Sequence, residues 1–401
     1  MGNWKKCTIA DLGTVVGGAT PSTKKPENYD GGTIAWITPK DLARFLGRFI
    51  SHGERNITEA GLHSCSTQMM PRHTILFSSR APIGYVAIAE NELCTNQGFK
   101  SVVPNDNTDY MFLYYLLLNN RQNIEHMGSG TTFKEVSGKT MRGIEVCVPE
   151  SKEEQIRISS MLSAIDDKIE ENERINKNLL QQAQSLYQSW FVDHEPFGGD
   201  RPSDWTDDTI EDLAKEIICG KTPSTKVPEY YGSDIPFITI PDMHGNTYAV
   251  TTERYLSTYG AASQRKKMLP RNSICVSCIG TAGLVTLTAQ ESQTNQQINS
   301  IIPKEGYSPY YIYLLMQTLS VIINNLGQSG STIVNLNKAQ FGKIPVTIPS
   351  VATMKSFDEI AKPMFDAILS NQEENIKLAE LRDSLLPRLM SGDLDVSGID
   401  L

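Results

Sequence analysis

The sequence predicts an α+β fold, in which two similar, mainly β domains are joined by two long helices that form an antiparallel coiled coil. Two observations lead to this prediction. The chain of 401 residues repeats itself at an interval of about 200 residues, which is long enough for a whole domain. Each repeat ends in a stretch with a heptad pattern of apolar residues. The duplicated order of domain and helix predicts a pseudo-twofold, circular arrangement, in which the C-terminal tail returns to the first domain.

The repeat is clearest around loops. The stretch TPSTKKPENY, which begins at Thr20, recurs as TPSTKVPEYY from Thr222, a shift of 202 (222 − 20). The tripeptide TNQ at 95–97 recurs at 294–296, a shift of 199 (294 − 95). So small a drift in the shift indicates a duplication with short changes in loop length.

Each copy begins with short β-branched and aromatic runs that Gly, Pro and Asn interrupt, which is typical of strands. One helix is predicted within each copy, around 109–126 and 308–325. These patterns divide the chain into four predicted segments: a first domain at 1–150, a central spacer helix at 151–194, a second domain at 195–349, and a C-terminal spacer helix with its tail at 350–401.

The two spacer segments carry the same apolar stripe. No Pro or Gly occurs between Lys152 and Val192, and the apolar residues alternate in a heptad spacing that predicts a coiled-coil seam. Asparagine occupies two equivalent seam positions in both helices, where it weakens packing but fixes the register. The predicted seam includes Ile165, Ile169, Asn172, Asn176 and Leu179 on the first helix, and Met364, Ile368, Asn371, Asn375 and Leu378 on the second.

Two arrangements are compatible with such a stripe. Each helix could lie alone on its own domain, or the two helices could pair with each other, which the duplicated order favours. A helix of about 40 residues would be about 60 Å long. Pro363, Arg382 and Pro387 interrupt the second stripe, so we expect a bend near the start of that helix and fraying near its end.

The bulk composition predicts an ordinary globular protein of the cytoplasm without a membrane segment. Hydrophobic residues make up 39% of the chain and charged residues 21%. Seven scattered cysteines form no disulfide framework, and the apolar runs are too short to cross a bilayer. The formal charge of −9 argues against nucleic-acid binding, although basic residues can still cluster on one face.

Motifs for catalysis or cofactor binding are incomplete. CGKT at 219–222 resembles the end of a phosphate loop, but the glycine that would begin that motif is replaced by Lys215. CVSC at 275–278 has no second cysteine pair, so a buried strand is favoured over a zinc site. The six histidines form no HExxH motif. We therefore expect no metal, no cofactor and no catalytic residue in this chain, and two equivalent domains without a reaction centre indicate binding.

The loops are rich in hydroxyl, amide and basic side chains, which hydrogen-bond to phosphates and base edges. For the TPST loops the alternative is a purely structural turn, and for the basic run at 264–271 it is a solvated face. Segments 43–62 and 244–260 differ strongly between the copies. Arg48 is a further basic candidate. The predicted DNA-contacting residues are Thr20, Ser22, Thr23, Lys24, Arg44, Arg80, Lys134 and Lys139 in the first copy, and Thr222, Ser224, Thr225, Lys226, Arg265, Lys266, Lys267 and Lys338 in the second.

Several of these stretches together carry a family resemblance. TPSTKKPENYDGGTIAWITPKDL and its second copy, the turns GSGTTF (128–133) and QSGSTI (328–333), and LLPRLMSGDLDV after the second helix resemble the DNA-specificity subunit of type I restriction–modification systems. The resemblance covers essentially the whole chain, including the order of target-recognition domain and helix, each present twice.

The resemblance implies that each target-recognition domain reads one half of an asymmetric, two-part double-stranded DNA sequence, while the paired helices set the unread gap. It also implies two DNA adenine methyltransferase subunits as partners, together with restriction subunits that act as translocase and nuclease. S-adenosylmethionine, ATP and Mg²⁺ would then belong to the partner subunits, and this chain would be non-catalytic. Two alternatives remain open: a stand-alone two-headed DNA-binding module, and a self-sufficient DNA-modifying enzyme.

Overall fold

The computed structural model describes residues 3–43, 45, 47–129, 134–327, 335–396 and 398. Arg44, the QSGSTI turn and all but the first two residues of the GSGTTF turn lie outside this part of the chain. The chain divides into two compact units, Met1–Glu170 with Lys377–Leu401, and Glu171–Ile376. Both divisions fall inside long helices, and the four predicted segments stay a prediction.

The first unit has short strands and helices followed by part of a long helix. The elements are β1 (Trp4–Thr8), α1 (Ile9–Leu12), β2 (Gly13–Gly17), β3 (Ile34–Ile37), α2 (Pro39–Leu42), β4 (Phe49–Ile50), β5 (Arg55–Ile57), α3 (Glu59–His63), β6 (Ile75–Ser79), β7 (Ile83–Ala89), β8 (Cys94–Thr95), β9 (Lys100–Pro104), α4 (Tyr110–Asn119), α5 (Arg121–His126), α6 (Gly138–Arg142), β10 (Glu145–Pro149) and α7 (Lys152–Tyr187). A five-stranded sheet has the order β2-β9-β6-β7-β4, beside a three-stranded sheet β5-β3-β8 and the pair β1-β10.

The second unit repeats this order. Its elements are β11 (Thr206–Thr209), α8 (Ile210–Leu213), β12 (Ala214–Cys219), β13 (Tyr231–Gly232), β14 (Ile235–Ile238), α9 (Ile240–Met243), β15 (Tyr248–Ala249), β16 (Tyr255–Leu256), α10 (Thr258–Ala262), β17 (Ile274–Ser277), β18 (Val285–Thr288), β19 (Gln293–Thr294), β20 (Ile298–Pro303), α11 (Pro309–Thr318), α12 (Ser320–Gly327), α13 (Lys338–Gly342), β21 (Pro345–Ile348) and α14 (Val351–Ser391). Its sheets are β12-β20-β17-β18-β15, β13-β16-β14-β19 and β11-β21.

The repeated Thr and Asp residues near the start of each copy form capping boxes. Asp11 accepts hydrogen bonds from both the backbone amide and the hydroxyl of Thr8, each at 2.7 Å. Asp212 does the same for Thr209, at 3.1 and 2.7 Å. Each box satisfies amide donors that the first turn of a short helix leaves unpaired. This explains why helices of only four residues form at the same place in both copies.

The helix predicted within each copy is in fact a pair of helices. In the first copy α4 ends at Asn119 and α5 begins at Arg121, with Asn120 between them outside the helical conformation. In the second copy α11 ends at Thr318 and α12 begins at Ser320. The single-helix prediction was wrong because an apolar run indicates the period of a helix but carries no mark for a break within it.

The two long helices pair in the antiparallel sense, as predicted. In the second unit Asn172 on α7 donates to Asn375 on α14 at 2.8 Å, and Asn371 donates to Asn176 at 2.8 Å. The residue number falls on one helix as it rises on the other, which defines an antiparallel pair. The fold class predicted from the sequence is thereby confirmed.

The predicted fraying of the second helix is wrong. Helix α14 continues through Pro387 to Ser391. Leu389 and Met390 are buried, with 0% and 4% of their surface exposed, and they pack in the core of the first unit. Pro387 itself is exposed. Burial of the neighbouring side chains therefore holds the last turns helical despite the missing amide donor.

The C-terminal tail returns to the first domain within the first unit. Gly392 adopts a left-handed conformation with φ of 80°, and a side chain at this position would lie 2.8 Å from the indole ring of Trp4. Leu394 and Val396 join the apolar core of that unit. Among the described residues, no helix has a stretch long and apolar enough to cross a membrane.

Candidate nucleic-acid interface

The TPST loop of the first copy is tied down on one side and open on the other. The hydroxyl of Tyr29 donates to the carbonyl of Pro21 at 2.7 Å, and Thr20 donates to the side-chain oxygen of Gln97. Ser22 and Lys24, in contrast, are exposed. The inner side of the loop is thus structural, as the alternative interpretation held, while its outer side is available for contact.

The second copy builds the same loop with the same bonds. Thr222 donates to the side-chain oxygen of Gln296 at 2.6 Å, and Tyr231 donates to the carbonyl of Pro223 at 2.9 Å. The outer side chains of this loop are again exposed. They are Ser224, Thr225 and Lys226, which correspond to Ser22, Thr23 and Lys24.

A glycine lets each loop approach the TNQ segment closely. A β-carbon at Gly18 would lie 2.1 Å from the carbonyl oxygen of Thr95, and one at Gly220 would lie 2.1 Å from the carbonyl oxygen of Asn295. Only glycine permits so short a backbone approach. Gly220 is therefore explained by packing, and CGKT needs no phosphate to account for it.

Two glutamines in this surface, Gln97 and Gln296, were missing from the predicted contact residues. Each is exposed and hydrogen-bonded to the threonine of its own TPST loop. The signal for them was present, because TNQ recurs between the copies. Amides are side chains that read adenine in the major groove, so both belong to the candidate surface.

In the first copy, further basic groups adjoin the TNQ segment. The amide of Ser79 donates to the carbonyl of Gly98 at 2.7 Å, which places the next residue, Arg80, near the TPST surface. Arg80 lies 3.7 Å from Glu135, and Lys100 lies 3.2 Å from the same carboxylate. One acidic group is therefore shared by two cations, which leaves net positive charge beside the loop. The exposed Lys134 precedes Glu135 in the chain.

In the second copy, the basic run 265–267 adjoins the TPST loop. Lys267 is half-buried, and its ammonium group donates to the carbonyl of Cys219 at 2.8 Å. Arg265 and Lys266 are exposed. The run therefore contains one structural lysine and two cations that are open to solvent.

Three of the predicted DNA-contacting residues are not linked to this surface by any contact described above. Lys139 is exposed on α6 and Lys338 is exposed on α13. Arg44 lies outside the described residues. The candidate surface of each copy is therefore defined here by the TPST loop, the TNQ segment and the adjoining basic residues.

Arg48 has a different role from the DNA contact considered from sequence. Its side chain is only 6% exposed, and its guanidinium donates to both carboxylate oxygens of Glu170 on α7, at 2.8 and 3.0 Å, and to Asp167. Burial disfavours the charged form, but the hydrogen bonds to Glu170 and Asp167 outweigh it and raise the pKa of Arg48. Arg48 therefore fastens the first domain to its helix.

The predicted seam residues lie on the inner side of both helices. Asn172 and Ile368 are buried, with 0% and 1% exposure. The other predicted seam positions are half-buried: Ile165, Ile169, Asn176, Leu179, Met364, Asn371, Asn375 and Leu378. Asn172 donates to Glu374 at 2.7 Å as well as to Asn375, so its buried amide is satisfied.

In the first unit a polar network joins the domain to both helices. The hydroxyl of Tyr115 donates to one oxygen of Asp166 at 2.5 Å. Arg382 on α14 donates to the other oxygen at 2.8 Å. Burial and the charge of Asp166 raise the pKa of Tyr115, so its hydroxyl remains a donor.

The cysteine pair CVSC lies in and just after a buried strand. Cys275 is in β17, and Cys278 follows it. Burial raises the pKa of each thiol to about 12, and a protonated thiol is a poor metal ligand. The prediction of a buried strand is confirmed. Within the described ranges, no group of three or more His, Cys, Asp or Glu side chains could hold a metal ion.

The fold and these surfaces define a class of protein: two like domains with an equivalent loop surface in each, and two long helices that pair. The family model for the type I restriction modification DNA specificity domain matches the chain twice, at residues 1–181 and 202–380. The chain therefore belongs to the family of type I restriction–modification DNA specificity proteins. The prediction of a non-catalytic DNA-specificity subunit is confirmed by this membership.

Individual relatives agree with the family assignment. The chain is 33% identical to the type I restriction enzyme MjaIX specificity subunit of Methanocaldococcus jannaschii, over 98% of this chain and 94% of that relative. It is 30% identical to the HindI specificity subunit of Haemophilus influenzae, over 98% of this chain and 100% of that relative. The crystal structure of a type I S subunit from M. genitalium has the same fold, with a TM-score of 0.62 at 17% identity, over 97% of this chain and 96% of that chain.

Proposed function

We propose that each domain of this chain reads one half of an asymmetric, two-part DNA sequence through the surface formed by its TPST loop, TNQ segment and adjoining cations. The observation that carries the proposal is the repeated bond between loop and amide, Thr20 with Gln97 and Thr222 with Gln296. A duplicated scaffold that presents different neighbouring side chains is what two unlike half-sequences require.

Charge supports the same surface. The chain as a whole carries −9, which disfavours approach to DNA in general. Lys24, Arg265 and Lys266 are nevertheless exposed beside the loops, so local positive charge is available where phosphates would lie. Protein partners that cover acidic surface would reduce the remaining repulsion.

The partners we propose are two DNA adenine methyltransferase subunits and restriction subunits. The chain supplies recognition, and the partners supply S-adenosylmethionine, ATP and Mg²⁺ chemistry. Methylation of adenine requires the base to leave the stack, and in this proposal the methyltransferase subunits carry out that step. The paired helices, in this proposal, set the length of the unread gap in the DNA.

Genome-wide mapping of methylated adenine, with and without this chain, tests the function. We expect one two-part motif to lose its methylation when the chain is deleted and to regain it on complementation. A methylation pattern that does not change on deletion would contradict the proposal.

Variants at equivalent loop positions test whether the TPST loop of each domain contributes to DNA binding. Lys24→Ala and Lys226→Ala remove corresponding cations from the two loops. Each variant should weaken binding of the assembled methyltransferase to DNA while retaining folding, and Lys355→Ala, an exposed cation on α14, is the control. Equal loss of affinity in the control would show that the effect is one of total charge.

A further inference from the structure

The duplication creates a problem of self-pairing. Because α7 and α14 derive from the same repeat, each helix is similar enough to pair with a second copy of itself. With the shift of 199, Asn371 corresponds to Asn172 (371 − 199) and Asn375 corresponds to Asn176 (375 − 199). The observed bonds join Asn172 to Asn375 and Asn371 to Asn176. Two copies of α7 could therefore repeat the bonds between asparagines. The further bond from Asn172 to Glu374 would be lost, because Glu374 corresponds to Ile175 (374 − 199).

An ion pair between the helices distinguishes them further. Arg382 on α14 donates to the carboxylate of Asp166 on α7 at 2.8 Å. The residues at the repeat-equivalent positions are Ala183 (382 − 199) and Phe365 (166 + 199). Both are fully buried in the apolar core of the second unit. The same structural position is therefore ionic in one unit and apolar in the other.

The residues around Asp166 are polar, and those around its equivalent, Phe365, are apolar or aromatic. Tyr115, which donates to Asp166 at 2.5 Å, corresponds to Leu314 (115 + 199), which is 1% exposed. Phe365 stacks on Tyr310 with ring centroids 4.6 Å apart. The side chain of Asp166 is only 8% exposed, so its charge depends on the partners that this arrangement supplies.

We propose that the Asp166–Arg382 pair selects the partner of each helix, so that α7 pairs with α14 and not with a second copy of itself. In a pair of two α7 helices, Asp166 would face Ala183 of the other copy, which leaves a buried carboxylate without its cation. In a pair of two α14 helices, Arg382 would face Phe365. Pairing of two α7 helices would bury Asp166 without a cation at both ends of the pair, which is strongly unfavourable. Pairing of two α14 helices would leave Arg382 with Asp383 of its own helix as its carboxylate partner and with an aromatic ring in place of Asp166.

This assignment concerns assembly and holds whether or not the chain binds DNA. Pairing of unlike helices keeps two different domains in one molecule, whereas self-pairing would join two copies of one domain. The surface involved is the inner face of the helix pair, and the partner it selects is the other half of the same chain.

The test uses the full-length chain cut once after folding. Gly198 and Gly199 are exposed, and a side chain at either would meet nothing within 4 Å, so a protease site can be inserted between them. After cleavage, the halves are allowed to exchange in mild denaturant and are then returned to buffer. Native mass spectrometry counts mixed pairs, which contain one N-terminal and one C-terminal half, and like pairs, which contain two identical halves.

The wild-type chain should return mixed pairs almost exclusively. The double variant Ala183→Arg, Arg382→Ala moves the arginine to the equivalent position of the other helix, so that two α7 helices now supply Asp166 with a cation. We expect the ratio of like to mixed pairs to rise by about tenfold or more. Arg388→Ala, at an exposed cation of α14, is the control and should leave the ratio unchanged.

A second variant covers the case in which the relocated arginine prevents folding of the second unit. Asp166→Leu with Arg382→Leu removes both charges and leaves apolar residues in every pairing. It should shift the products toward a statistical mixture of like and mixed pairs. Retention of mixed pairs alone in this variant would overturn the proposal, as would abundant like pairs from the wild-type chain.

Discussion

The hydroxyl of Ser308 donates a hydrogen bond to the carboxylate of Asp358. The first copy has an equivalent bond in which the serine and the aspartate have exchanged places. There, Ser159 on α7 donates to Asp109 at 2.8 Å. Asp109 and Ser308 are each the N-cap of the buried helix that follows. The junction between that helix and the spacer helix therefore needs one hydroxyl and one carboxylate, while their order can be reversed.

The exchange makes the second junction sensitive to pH. Burial raises the pKa of Asp358 to about 6. Because the folded-state pKa lies above the ordinary value, the neutral carboxyl stabilises the fold fully below about pH 4. This contribution is lost as the pH rises through about 6. Asp358→Asn should therefore raise the unfolding temperature at pH 7.5 and change it little at pH 4.5.

Thermal unfolding followed by circular dichroism at the two pH values measures this difference. Asp207→Asn is the control of opposite sign, because the hydrogen bond from Arg201 lowers the pKa of that exposed carboxylate. Its contribution is present above the ordinary pKa and is lost as the pH falls. An Asp358→Asn variant that is less stable at pH 7.5 than at pH 4.5, relative to wild type, would refute the assignment.

Adjacent glycines in the first copy should respond very differently to alanine. Gly18→Ala places a methyl group 2.1 Å from the carbonyl oxygen of Thr95, whereas Gly17→Ala meets nothing within 4 Å. We expect Gly18→Ala to reduce the free energy of unfolding by about 2 kcal/mol or more. Gly17→Ala should be neutral or slightly stabilising. Urea denaturation of both variants measures the contrast, and equal effects would show that the close approach is unimportant.

Arg48 should affect stability without contacting DNA. Arg48→Ala removes the hydrogen bonds to Glu170 and Asp167, and we expect a loss of about 2 kcal/mol in the free energy of unfolding. At a temperature where the variant is folded, the slope of log affinity against log salt should equal that of wild type. A reduced slope would place Arg48 at the phosphates and contradict its structural role.

Two neighbouring lysines of the basic run should differ in their effects: one should affect DNA binding and the other stability. Lys266 is exposed, while Lys267 donates to the carbonyl of Cys219 at 2.8 Å. Lys266→Ala should weaken binding on all DNA sequences alike and lower the salt slope by about 1. Lys267→Ala should instead lower the unfolding temperature. Filter binding at several salt concentrations, with thermal unfolding of both variants, distinguishes them. An unchanged salt slope for Lys266→Ala would remove this residue from the interface.

The sequence patterns correctly predicted features that depend on residues close together in the chain. Thr8 and Asp11 are three residues apart and form a capping box by themselves, and the heptad stripe indicates which side of α7 and α14 faces inward. Such contacts follow from the helical period, so a single sequence contains them. The break at Asn120 within the apolar run was missed, because local propensity does not determine where packing interrupts a helix.

The sequence alone determined the duplication and the two long paired helices, and it indicated the loops that we propose as the DNA contacts. Only the tertiary structure decided that Arg48 binds α7, that Lys267 is structural, and that Arg382 meets Asp166. Those pairs join residues 122, 48 and 216 positions apart. A basic side chain has the same letter whether it faces phosphate or a buried carboxylate, and its role depends on which distant group the folded chain brings within hydrogen-bonding distance.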